Sequence, residues 1–278
     1  MAYAMLSIQE RVIMHLIAID GACYHNGQVD SIGCGACAVI HNDEEGSFTA
    51  ADLHAGFLLE ENSTNQRAEL HGLSLALNFI VENPANYLVV TDSEYIFNAM
   101  TRGWVHNWMC NDWLTSTREP VKNQDLWKDI YVKLCAAERL CEDAPCFYHI
   151  KGHVVSFGKV TRNSLLSDDP AGFKLIKELI KNFDNKFDPA DERIEKAQAC
   201  SERNNGFRLE YSQLRRFVAM NMLADALASH KIDEYLQDLQ ERYMRDTFDC
   251  CDKQDYELGC CGRHDHIACI CYDTKPSS

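Results

Sequence analysis

Two aspartates stand where a charged side chain is costly. Asp20 closes the run HLIAID, and Asp92 follows the apolar run LVVT. A charge carried into apolar surroundings costs several kcal/mol unless a cation or a metal meets it. No lysine or arginine lies next to either aspartate in the sequence. A divalent ion shared among clustered carboxylates answers that need. Magnesium takes oxygen ligands and keeps part of its water shell, so paired ions can activate a water and stabilise a departing 3′-oxygen. Read alone, either aspartate is more simply a cap on the turn or helix after a strand.

A second ligand-rich stretch lies at the C-terminal end, with Cys250, Cys251, Cys260, Cys261, His264, His266, Cys269 and Cys271. These are enough soft ligands for a tetrahedral zinc in a segment too short to bury its own core. The spacing is not a clean zinc-finger pattern, and labile thiols, disulfides or a disordered tail stay open as readings.

The elements that must position these residues follow from periodicity. His15–Asp20 and Gly33–Ile40 read as strands of a hairpin around His25-Asn26-Gly27, and a third strand is expected from Ser47 to Leu53. Residues 64–81 switch to helical period, with Ser63 or Thr64 as N-cap and Glu69 in the second turn. Leu88–Thr91 reads as a buried strand, Ser93–Met100 and Gln124–Leu140 as helices, and Cys146–Ile150 as a last strand. That order predicts an α/β domain with a mixed sheet. Beyond it, helical patterns cover Gly172–Asn182 and Pro189–Cys200, and a long helix runs from about Tyr211 to Arg245. Asn221 and Asp225, four apart, share one face of that helix.

The chain has 278 residues, 46% hydrophobic and 25% charged, enough for one domain with attachments or two small ones. Its longest apolar stretches fall short of the roughly 20 residues a membrane span needs, and Met1–Arg11 lacks the pattern of a secretory signal. A cytoplasmic protein with no membrane partner is expected. Of its fourteen cysteines, eight lie singly in ordinary strands and helices, where a reduced thiol acts as a small apolar group. The net charge of −15 is unusual for a nucleic-acid protein, but it is uneven: −11 over residues 1–153, +2 over 154–220 and −6 over 221–278.

In order and spacing these pieces closely resemble the type 1 ribonuclease H family, over residues 12–153 and again over 218–230. Asp20-Gly21-Ala22-Cys23 is similar to the family's first-strand motif. Thr64-Asn65-Gln66-Arg67-Ala68-Glu69-Leu70 resembles its first-helix motif, and Thr91-Asp92-Ser93-Glu94-Tyr95 its fourth-strand motif. Trp104-Val105-His106-Asn107-Trp108, Trp113, Pro120-Val121-Lys122-Asn123 and Asp125-Leu126-Trp127 are similar to its substrate handle. Lys151-Gly152-His153 matches the loop histidine, and Asn221-Met222-Leu223-Ala224-Asp225 the closing helix.

The resemblance implies a ribonuclease H-like fold, a five-stranded mixed sheet of order 3-2-1-4-5 flanked by helices, carrying a helical insertion. It implies a catalytic domain from 1–153 plus 218–245, the insertion at 154–217 and a Cys/His-rich tail at 246–278. The implied activity is endonucleolytic cleavage of the RNA strand of RNA–DNA hybrids. Two magnesium ions, replaceable by manganese, would be held by Asp20, Glu69, Asp92 and Asp225, with His153 assisting proton transfer or product release. Asn26, Asn65 and Gln66 would read the RNA 2′-hydroxyls, and Trp104, Asn107 and Trp108 the DNA strand, with Lys122 and Asn221 as further substrate contacts.

The departures are specific. The handle reads Met109-Cys110-Asn111-Asp112 where cellular bacterial members are rich in cations, and Glu94 stands where the family often has glutamine. Asn221 stands 68 positions after His153, where the family has a short loop. Lys174, Lys177, Lys181, Arg215 and Arg216 of that block are candidate replacement cations, and the insertion or tail is a candidate surface for a protein partner. Two other functions remain as alternatives: a hybrid-binding protein with little activity, and a nuclease of the same fold acting on branched DNA.

Overall fold

The structure is a computed structural model and describes residues 15–40, 53–154 and 191–251. Strands β1 (His15–Tyr24) and β2 (Ile32–Ile40) form the expected hairpin, paired from Leu16↔Ile40 to Tyr24↔Ile32. Strand β3 (Leu53–Glu61) pairs antiparallel with β2, while β4 (Tyr87–Thr91) and β5 (Cys146–His149) add in parallel on the other side of β1. The sheet order is β3-β2-β1-β4-β5, as the resemblance implies.

The third strand differs from its expected place. Residues 47–52 lie outside the described residues, and β3 begins at Leu53 and runs on over residues 54–61, to which the sequence pattern assigns no element. It is an edge strand that leaves Phe57, Leu58 and Leu59 all exposed, so the in–out alternation that marks a half-buried strand is missing. Pairing with β2 imposes the extended backbone.

Strand β1 also continues past Asp20 to Tyr24. Its parallel pairing with β4 runs from His15↔Tyr87 to Ala18↔Val90, and that register extended by two residues sets Asp20 opposite Asp92. Both carboxylates therefore leave the same face of the sheet, where two neighbouring strands part.

Alternation divides β1 between two cores. Ile17 and Ile19 join Cys37, Val39 and Val89 against helix α1 (Asn65–Glu82), on which α4 (Gln124–Leu140) packs through Trp127, Ile130 and Ala137. Thr64 caps α1 by accepting from the Arg67 amide. This contact is unusually close. A Cβ on Gly21 would sit 2.3 Å from the Glu69 nitrogen, and one on Gly35 would sit 2.3 Å from the Ala68 oxygen, so only glycine lets the helix backbone rest on the hairpin. Burial pushes the thiols of Cys34 and Cys37 up to about 11, as suits cysteines serving as small apolar groups.

Short helices α2 (Glu94–Thr101), capped by Ser93, and α3 (Trp104–Cys110) lead from β4 to α4. After β5 come α5 (Glu192–Asn205) and α6 (Tyr211–Cys251). Ile194, Ala197, Ser201 and Asn205 form the buried stripe of α5. Asn205 treats the edge of β5 as a ladder partner: its Oδ1 accepts from the His149 amide at 2.9 Å and its Nδ2 donates to the His149 carbonyl at 2.7 Å. Tyr148 lies between Phe207 and Phe217, each 5.3 Å from its ring centre. The first part of α6 buries Leu214, Val218, Leu223 and Leu227, and Lys231 sits 4.3 Å above the Phe57 ring. It covers the second face of the sheet, where Ala18, Ala36 and Ala38 are fully buried. The chain divides into two compact units, Met1–Ile232 and Asp233–Ser278, so α5 and the start of α6 share a unit with the sheet. No helix among the described residues is long and apolar enough to cross a membrane.

Candidate active site

Four elements bring one carboxylate each to the place where β1 and β4 part. Asp20 is only 9% exposed. Its Oδ1 accepts from the Gly21 amide at 2.7 Å, and its Oδ2 accepts from Asn221 Nδ2 at 3.3 Å. Glu69, in the second turn of α1, accepts from Asn65 Nδ2 at 3.0 Å and from Ser93 Oγ at 2.6 Å. Asp92 follows β4, and Asp225 lies one turn beyond Asn221 on α6.

The electrostatics reflect their proximity. Burial, the repulsion of Asp92 and Asp225, and a smaller push from Glu69 raise the Asp20 carboxyl well above the ordinary carboxylate range. Burial leads for the other three as well, and all are raised. Asp92 lies within reach of Asp225, and Glu69 within reach of Asp92. The charge of His153 acts in the opposite sense on both Asp92 and Asp225. His153 holds a left-handed backbone, φ 52°, that carries its exposed ring to the rim of the cluster.

This donor set fits a hard divalent cation: oxygen ligands, buried, mutually repelling, with no lysine or arginine among the groups that shift them. Among the described residues, no three Asp, Glu, His or Cys side chains form a ready-made cage. The carboxylates meet as neighbours that push one another apart, held by amide and hydroxyl donors.

The substrate candidates fall into two groups. Asn26, Asn65 and Gln66 gather beside Glu69: Asn26 Oδ1 accepts from the Asn65 amide at 3.1 Å, and the buried Gln66 Oε1 has no hydrogen-bond partner. Trp104, Asn107, Trp108 and Lys122 lie along α3 and before α4. There Trp108 packs 6.1 Å from Trp104 and 5.3 Å from Trp127, centre to centre, and Asn107 and Lys122 are exposed. Trp127, grouped by sequence with this handle, is a fully buried core residue whose indole donates to the Tyr95 hydroxyl at 2.7 Å.

Cys250 and Cys251 fall in the last turn of α6, and Cys260, Cys261, His264, His266, Cys269 and Cys271 lie outside the described residues, as do Lys174, Lys177, Lys181 and the helical pattern at 172–182.

Three site residues escaped the sequence reading. Ser93 both caps α2 and donates to Glu69, 24 positions away. Asn204 Nδ2 donates to His149 Nδ1 at 2.8 Å, which leaves the His149 Nε2–H to donate to the Asp92 carbonyl at 3.2 Å. Burial lowers the His149 pKa, in keeping with that neutral tautomer. Only the capping role of Ser93 had a local signal, a serine directly before a helical period.

The family model for RNase H matches residues 13–164. A ribonuclease H of Dinoroseobacter shibae is 37% identical over 155 residues, which span 56% of this chain and 90% of that protein. A ribonuclease H of Jannaschia sp. is 33% identical over 160 residues (57% and 92%). One of Clostridium botulinum is 30% identical over 138 residues (50% and 83%).

Proposed function

The chain belongs to the RNase H family, and from that premise we propose that it hydrolyses the RNA strand of RNA–DNA hybrids at the cluster of Asp20, Glu69, Asp92 and Asp225. The observation that carries this reading is the arrival of Asp225, from a helix 133 positions beyond Asp92, against Asp20 and Asp92. Like charges are brought together under burial only at a cost, and a site for divalent cations gives that cost a purpose.

Magnesium is the proposed cation. When bound it supplies an activated water and a counter-charge for the leaving 3′-oxygen, so that the products end in 5′-phosphate and 3′-hydroxyl. Asp20 and Glu69 are oriented by the Asn221, Asn65 and Ser93 donors. Asp92 is steadied from behind through His149. His153, an exposed imidazole facing Asp92 and Asp225, is placed to take or give a proton as the product leaves. Asn26, Asn65 and Gln66 are proposed to present amides beside Glu69 to the 2′-hydroxyls of the RNA strand. The Trp104–Trp108 surface is proposed to meet the DNA strand.

The test compares cleavage of hybrid, duplex DNA, duplex RNA and branched DNA by the parent and by Asp92→Asn. The parent is expected to cut only the RNA of the hybrid, and Asp92→Asn to lose on the order of 10³-fold or more in kcat. Parental rates in the variant under matched metal refute the site. Cleavage of branched DNA with the hybrid spared refutes the substrate.

A further inference from the structure

A cavity of about 580 Å³ opens beside Asp92, walled by the segment from His149 to Gly152 on one side and by α5 on the other. The α5 wall consists of Lys196, Ala199, Cys200 and Arg203. That spacing of i, i+3, i+4 and i+7 is a single helical stripe. The adjacent stripe, Ile194, Ala197, Ser201 and Asn205, is buried, and Asn205 is bonded to the β5 backbone, so the cationic stripe is held toward the cavity. Two small side chains form a floor, with a cation at each end.

Lys151 adds a third cation from the opposite wall, against the carboxylates of Asp92 and Glu94. Asp92 is already committed to divalent cations in the reading above, which leaves three cations facing one carboxylate. Lys196 reaches Glu192 at 2.6 Å, but that pair is exposed and worth little. Arg203 and Lys151 make no ion pair among the described residues. In a chain of net charge −15, this is a local excess of positive charge beside the proposed catalytic cluster.

We propose that this cavity is a phosphate subsite for the cleaved strand, in which Arg203, Lys196 and Lys151 grip a phosphodiester next to the one held at the carboxylates. The proposal rests on that cluster being the hybrid-cleaving centre. A guanidinium fork matches two phosphate oxygens, and a lysine serves as a point charge. The volume lies within the roughly 300–1,000 Å³ typical of sites for small ligands, so a nucleotide-sized piece of backbone fits. The insertion thereby returns to the substrate the cations that Met109–Asp112 lacks.

The test uses the full chain carrying Lys196→Ala with Arg203→Ala. Hybrid binding is followed by fluorescence anisotropy with calcium in place of magnesium, and cleavage with magnesium, both over a potassium chloride series. Each neutralised phosphate contributes about 0.7–0.9 to the log–log salt slope, so the double variant, which releases one phosphate, should flatten it by roughly 0.7–0.9. Affinity near 0.1 M salt should fall roughly 5- to 8-fold, with KM raised to match, kcat unchanged and the thermal midpoint unmoved. Arg203→Lys should recover most of the loss. Ala199→Trp, which fills the floor and removes no charge, should weaken binding while leaving the slope near its parental value. Unchanged affinity and slope in the double variant overturn the subsite. A parent that binds hybrid without cutting it sinks the catalytic reading, and the binding series then decides the subsite alone. A parent that binds no hybrid overturns both.

Discussion

Two acidic clusters flank the start of helix α1 and behave in opposite ways. At its first turn, Arg67 bonds both oxygens of Glu60 and both of Asp125, and Ser63 adds a further donor to Glu60. The guanidinium pulls the Glu60 carboxyl down to about 2 and lowers Asp125. Two residues on, toward another side of the helix, Glu69 is raised by burial and by Asp92, Asp20 and Asp92 by burial and by neighbouring carboxylates, and Asp225 by burial. Both clusters join strand to helix. The first is neutralised by the chain's own cation and serves as a clasp between β3, α1 and α4. The second has no lysine or arginine among the groups that shift it. Carboxylates whose pKa moves up under burial, with no guanidinium or ammonium to meet them, mark where an outside cation belongs.

The contrast can be broken most sharply at Asp92. In chelator, Asp92→Asn should raise the thermal midpoint by a few degrees, because one repelling charge is gone. Magnesium at about 100 times its dissociation constant should stabilise the parent by about 2.7 kcal/mol, roughly 5–10 °C for a unit of this size, and the variant by far less. Calorimetry with and without metal reads both. If the parent gains nothing from magnesium, the second cluster is not a cation site.

Arg67→Ala should do the reverse. Leaving Glu60 and Asp125 without their donor should cost about 1–3 kcal/mol, seen as a lower midpoint in chelator and in magnesium alike. A midpoint that moves only when metal is present would merge the two clusters into one.

The smallest effect is at Glu60 and depends on pH. Its folded pKa lies below the ordinary 4.5, so its contribution is complete above about pH 4.5 and is lost as pH falls toward 2. Glu60→Gln should therefore flatten the acid limb of the stability profile by about 1 kcal/mol, measured by urea denaturation between pH 6 and 3. An unchanged acid limb would remove Glu60 from the clasp.

The parts of this fold that were legible in sequence are those whose residues carry their own periodicity. The helix Gln124–Leu140 shows an apolar stripe along its length and stands at the bounds read for it. The strand before Asp92 is a plain apolar run. Strand β3 was misplaced because an exposed edge owes its extended form to its neighbour, and Phe57-Leu58-Leu59 has no alternation to betray it. The four acids were found through resemblance, and the structure brings all four together. What stands behind them could not be read from the chain. Asn204 and His149, or Ser93 and Glu69, meet only because sheet and helices set distant positions side by side. Trp127, matched in sequence to the handle region but not to a substrate contact, is wholly enclosed.

The glycines beneath α1 have a bearing on tolerance to change. Where main chain rests on main chain at Gly21 and Gly35, no side chain acts as a spacer between the strand that carries Asp20 and the helix that carries Glu69. The interval between those two acids is thus a gauge block cut from peptide units, whose dimensions no substitution elsewhere can alter. Leu73, Leu77 or Val39 can be exchanged for residues of similar bulk, and the molecule will melt a little sooner or later with its calibration intact. A single methyl group at residue 21 would jam the gauge itself.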